Sequence, residues 1–103
     1  MIVVSVMYPA TAGATFDMTY YLDKHVPLVG KRWSAMGLRE AKVLKGIGAP
    51  GGGAATYVVT ALLTFDTTAA LEQALAAHGK EIIADIANFT SIKPIIQVND
   101  VVV

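Results

Sequence analysis

Apolar residues recur along the chain with two different periods. Residues 2–8 (IVVSVMY) form a β-branched run closed by Pro9, which predicts a buried strand. Small, turn-forming residues fill 9–14, and Thr15 or Asp17 offers a side-chain cap for the helix expected next. That helix carries FDMTYYLDKH and then Pro27. The missing proline N–H predicts either a kink or a second helical segment from about Val26. Gly37 after Met36 suits a left-handed C-terminal cap, so the helix is expected to stop there.

Residues 38–46 (LREAKVLKG) mix charged and apolar positions as an edge strand does, with Lys42 and Lys45 discouraging further pairing. Five of the nine glycines lie within 46–54, which reads as a loop. Residues 55–65 (ATYVVTALLTF) give the clearest strand. Asp66 or Thr67 then caps a second helix, whose stripe Leu71, Leu75, His78, Ile82, Ile86, Phe89 steps by three or four, with Gly79 as a point of possible division. A last strand is expected over 92–101, with Pro94 near its start. No fixed-period repeat is present. The order β-α-β-β-α-β predicts one α+β domain over residues 1–103, a ferredoxin-like arrangement with a four-stranded antiparallel sheet.

Two helices on one side of such a sheet leave its other face open, and a solvated face should be polar. The first strand presents Ile2, Val4, Val6 and Tyr8 on one face and Val3, Ser5 and Met7 on the other. The 57–65 strand presents Tyr57, Val59, Ala61, Leu63 and Phe65 opposite Val58, Thr60, Leu62 and Thr64. Both faces are low in charge, and Val101–Val103 adds apolar surface. A homodimer packed through the open sheet face is therefore expected, burying about 1,600 Å² or more. Terminal segments folded over that face are the alternative.

Composition sharpens this picture. Hydrophobic residues make up 54% of the chain and charged ones 16%, against an ordinary charged share of about 25%. Eight basic and eight acidic residues cancel, leaving no basic field for nucleic acid or an anionic membrane. The absence of cysteine removes disulfides, thiolate metal sites and cysteine nucleophiles. No apolar run approaches the length of about 18 needed to span a bilayer, and MIVVSVMY lacks the basic start of a signal peptide. A cytoplasmic chain is the expectation.

Gly46-Ile47-Gly48-Ala49-Pro50-Gly51 fits G-x-G-x-x-G in letters only. A strand follows it where a dinucleotide site needs a helix N-terminus, so it reads as a hairpin connection. The first helix is richer. Asp17, Tyr21 and His25 share a face by i, i+4 spacing, Tyr20 and Lys24 lie beside them, and Arg32 and Trp33 follow. A histidine among tyrosines and an indole suits a planar substrate and a proton transfer near neutral pH. The structural alternative makes Phe16, Tyr20 and Trp33 core and His25 a hydrogen-bonded helix residue. On the second helix, Asp85 borders the apolar stripe and needs a partner if half-buried. Facing helices would bring it to His25 or Tyr21, where a carboxylate fixes the imidazole tautomer; a surface carboxylate or a turn cap is the alternative. His78 is expected to serve the end of a helix dipole. Two histidines without a third ligand argue against a metal site.

The run FDMTYYLDKHVPL (16–28), then Gly37-Leu38, then EIIADIANFTSIKPIIQ (81–97) resembles the EthD domain over nearly the whole chain. Its Y-Y-x-x-x-H-x-P-L and D-I-x-N-F-T elements carry the likeness. The family takes its name from ethyl tert-butyl ether degradation, and its members are often labelled oxidoreductases. The resemblance implies a ferredoxin-like subunit forming a dimeric α/β barrel, with a ligand cavity between sheet and helices. It implies His25 and Tyr21 on that cavity and Asp85 and Phe89 on its far wall. The glycine-rich loop departs from the family pattern and bears on access to the cavity.

Two functions follow. One is a small cofactor-independent enzyme acting by proton transfer or oxidoreductase chemistry on an aromatic or hydrophobic metabolite. In it Tyr20, Tyr21, Trp33 and Phe89 hold the ring, and His25, oriented by Asp85, moves the proton. The other is a non-catalytic accessory protein of a redox degradation system, carrying a hydrophobic ligand with His25 only hydrogen-bonding it. Haem held by a histidine, as in some barrel relatives, is a third and less favoured reading; no cofactor and no metal are expected.

Overall fold

The computed structural model describes all 103 residues. Strand β1 (Ile2–Pro9) runs centrally and pairs antiparallel with β3 (Tyr57–Phe65) on one side and β4 (Ile95–Asp100) on the other, while β2 (Leu38–Lys45) flanks β3, giving the order β2-β3-β1-β4. This is the ferredoxin-like α+β fold expected from the element order.

The first helix opens with Met18–Tyr20, where the Asp17 side chain accepts the Tyr20 N–H at 3.0 Å. It passes through a π-helical turn, Tyr21–His25, into the α-helix Val26–Trp33, and closes in a 3-10 turn, Ser34–Met36. Pro27 explains the change. It has no N–H for the Asp23 carbonyl, and the preceding Val26 N–H reaches back to the Tyr21 carbonyl, five residues away. Gly37 ends the helix at φ +100°, and a Cβ there would stand 2.9 Å from that of Ala70.

The second helix, Thr68–Asp85, is capped by the Thr67 hydroxyl on the Ala70 N–H and continues in a 3-10 turn, Ile86–Asn88. Asp66 is no cap; it accepts a hydrogen bond from Arg39 Nε. Gly79 does not divide the helix. Leu71, Ala74 and Ile82 are buried, whereas Leu75 is 43% exposed and His78 half-exposed, so the expected stripe is corrected at those two positions. The helix continues past His78, which therefore lies mid-helix and 3.9 Å from Glu81. Neither the third nor the fourth strand reaches its expected limits: residues before Tyr57 form loop, and Ile92 is buried outside any strand.

Ile2, Val4, Tyr8, Val59, Ala61, Leu63 and Phe65 form the covered sheet face under both helices. Phe65 is completely enclosed, and such burial stabilises by about 2 kcal/mol. The Trp33 indole packs on Phe65 and donates to the Ala74 carbonyl at 2.8 Å, joining the two helices. Arg32 adds a two-pronged pair with Glu81 at 2.8 and 3.1 Å.

The open face is less apolar than its central strands suggested. Val3, Met7, Val58, Leu62, Leu44 and Ile95 share it with Lys42, Glu40, Gln97 and Asn99 from the outer strands. Asn99 donates to Ser5 Oγ and the Val3 carbonyl, both at 2.9 Å, so one side of this face is a polar network.

Candidate active site

The π-helical turn places Tyr21 and His25 on the inner side of the first helix, both buried, while Leu22, Asp23 and Lys24 point outward. The two rings stack with centroids 5.7 Å apart and 18° between planes, and Phe89 leans against the imidazole at 4.7 Å. His25 is 5% exposed, so its nitrogens need defined partners.

Asp85 supplies one. Its Oδ2 accepts His25 Nδ1–H at 2.9 Å, and its Oδ1 accepts the Tyr20 hydroxyl at 2.7 Å and the Asn88 amide at 2.9 Å. Asp85 closes the second helix, where the negative end of the dipole disfavours an anion. Burial alone would raise its pKa, but hydrogen bonds from Tyr20, Asn88 and His25 overrule it and hold the carboxyl below its ordinary value. The ionised carboxylate only accepts, so Nδ1 carries a proton and faces Asp85, while Nε2 makes no hydrogen bond within the chain. Tyr20 is held protonated by the same bond, its pKa raised by donation to Asp85.

A cavity of about 110 Å³ lies between the covered sheet face and the helices. Val4, Val6 and Tyr8 of β1, Tyr21, His25, Val29 and Trp33 of the first helix, Leu71 and Ile82 of the second helix, and Ile86 just past its end line it. His25 brings the one nitrogen-bearing ring to this wall other than the Trp33 indole, whose N–H is committed to Ala74. Leu75, Ile83, Ile96 and Val98, each roughly half exposed, form the apolar rim where the cavity meets the surface.

Of the residues singled out in the sequence, His25, Tyr21 and Trp33 line the cavity. Asp85, Tyr20 and Phe89 stand behind the imidazole and do not line it. Asp17 belongs to the helix cap. Tyr8, which strand alternation put on one face with Ile2, Val4 and Val6, is also a wall residue. Its pKa is raised by burial and by the neighbouring Tyr21, whose own is pushed up to about 12 by burial.

A crystal structure of an EthD-like protein from Ralstonia eutropha JMP134 is 39% identical to this chain, covers 99% of it and 92% of its own length, and superposes with a TM-score of 0.90. The chain belongs to the EthD family. A second EthD family protein, from Bacillus halodurans C-125, is 19% identical with a TM-score of 0.68, with 98% of each chain covered. A dimeric ferredoxin-like protein from an uncultured marine organism is 13% identical with a TM-score of 0.56, covering 100% of this chain and 96% of its own, and shares the fold. No family model and no curated protein matches the chain. No cluster of His, Asp and Glu suited to a metal ion occurs in this EthD-family chain, and no helix is long and apolar enough to cross a membrane.

Proposed function

We propose that this EthD-family protein is a cofactor-independent enzyme that moves a proton on a small apolar or aromatic metabolite. His25 Nε2 is the acid–base group, and Asp85 is its positioning residue. The observation that carries this reading is the 2.9 Å bond from His25 Nδ1 to Asp85, made by a histidine that also lines an apolar cavity. A binder that only hydrogen-bonds its ligand needs no such brace: a carboxylate held by three donors fixes the imidazole tautomer and leaves its other nitrogen unpartnered. Trp33 and Tyr21 give the ligand ring its aromatic wall, while Tyr20 and Phe89 support the His25–Asp85 pair from behind.

The test is deuterium uptake, followed by NMR, into the protons beside the carbonyl of cyclohexanone in D₂O. Native protein should accelerate uptake and His25→Ala should abolish that acceleration with the fold retained. Binding without uptake would instead favour the accessory carrier of a redox degradation system.

The reading includes a homodimer joined through the open sheet face, supported by Val3, Met7, Val58, Leu62, Leu44 and Ile95 there. Light scattering should give twice the 10.8 kDa chain mass, and a monomer at micromolar concentration would remove this part.

A further inference from the structure

Tyr8 is 1% exposed, and its ring packs edge-on against Phe16, Tyr21 and Phe89 with centroids 5.2 to 6.1 Å away. Phenylalanine would serve that packing as well. The hydroxyl is the unexplained part. Neither the Tyr8 nor the Tyr21 hydroxyl hydrogen-bonds within the chain, yet no side-chain oxygen is both unpaired and sealed from open space. Both residues line the cavity, and neither hydroxyl is walled off by protein. An occupant that closed the cavity over unpaired hydroxyls would cost stability unless it accepted from them, and two in adjacent rings point to an acceptor that arrives with the ligand.

We propose that the Tyr8 and Tyr21 hydroxyls are a paired donor for one uncharged carbonyl oxygen of a ligand seated in this cavity. The walls fix the rest of its chemistry. They carry no cation to meet a carboxylate or phosphate, so the ligand is neutral. A dry cavity of roughly 150 Å³ admits benzene; the present one, of about 110 Å³, suits a compact carbonyl compound whose far side reaches into the apolar rim of Leu75, Ile83, Ile96 and Val98. This deepens, and rests on, the proton-transfer reading. His25 Nε2 takes a proton from the carbon beside the carbonyl, the C–H pair becomes the C=C bond, and the carbonyl π pair moves to oxygen, where the two hydroxyls hold it. Return of the proton from the imidazolium to carbon closes the cycle without oxidant or cofactor. Burial keeps both phenols protonated, and so donating, across the neutral range.

The experiment is an NMR titration of the native protein with cyclohexanone and with methylenecyclohexane, which has the same shape and lacks the oxygen. Native protein should prefer the ketone about tenfold or more, and Tyr8→Phe and Tyr21→Phe should each lose about fivefold of that preference. Both variants should melt at or above the native temperature, since an unpaired hydroxyl is removed. Equal binding of the two probes, binding of neither, a preference surviving in both variants, or a lowered melting temperature in Tyr8→Phe would overturn the proposal. Ketone preference without deuterium uptake would leave the donor pair standing and remove proton transfer.

Discussion

His25 and Asp85, 60 positions apart in the chain, meet at 2.9 Å because the inner side of a π-helical turn faces the last turn of the second helix. The contact ties the catalytic proposal to fold stability, since the same carboxylate anchors Tyr20 and Asn88.

Asp85→Ala leaves three donors facing nothing and is expected to destabilise by about 2–3 kcal/mol, read from urea denaturation. Asp85→Asn is expected to cost about 1 kcal/mol, because an amide still accepts on one side while its NH₂ opposes the remaining donors. Because the folded pKa of Asp85 is depressed, its contribution is complete above the unfolded value of about 3.9 and is lost as pH falls through the folded value. Native protein should therefore lose stability more steeply than Asp85→Asn below about pH 4.

Tyr20→Phe removes one donor from Asp85 and nothing from the cavity wall. The expected result is a loss of about 1 kcal/mol with ligand affinity unchanged. The acid-side stability loss should also be smaller and level off at higher pH, because the carboxylate has lost a bond that lowered its pKa while the unfolded value is unchanged. A large fall in affinity would mean that Tyr20 touches the ligand.

Alkali tests the buried phenols. Tyr21 is pushed up to about 12, and Tyr8 is raised as well, each from 10.0. Raised folded values mean that their contribution is whole below pH 10 and declines as pH climbs through the folded values. Base denaturation should set in between pH 10 and 12, and Tyr21→Phe should flatten that slope in a melting-temperature profile.

Gly37→Ala meets two penalties together, a backbone at φ +100° and a methyl group 2.9 Å from the Ala70 Cβ. The expected cost is about 2 kcal/mol in chemical denaturation. Deuterium uptake should survive, because neither Gly37 nor Ala70 lines the cavity.

Much of this arrangement was legible in the sequence. Strand alternation placed Val4, Val6, Leu63 and Phe65 on one face, and the first helix flagged His25 with Tyr20, Tyr21 and Trp33. Asp85 stood out because a carboxylate beside Ile82 and Ile86 needs a partner. Periodicity could not separate Tyr20 from Tyr21: one supports Asp85 and the other lines the cavity, a division made by the π-helical turn, which Pro27 signals only as an irregularity. Tyr8 was hidden for another reason. A tyrosine on a core strand reads as packing, and only the missing partner of its hydroxyl says otherwise. Leu75 fits the helical period of the second helix, yet the fold leaves it 43% exposed at the cavity rim.

Leu22, Asp23 and Lys24 form the outer wall of the π-helical turn and hold up nothing buried. Excising any one of them would leave the Val26 N–H and the Tyr21 carbonyl four residues apart, the ordinary α-helical spacing, so the same two groups could stay paired and the helix on either side keep its place. The wide turn thus behaves as a one-residue insertion absorbed on the solvent side. Shortening it should be tolerated far better there than the loss of any residue on the buried side.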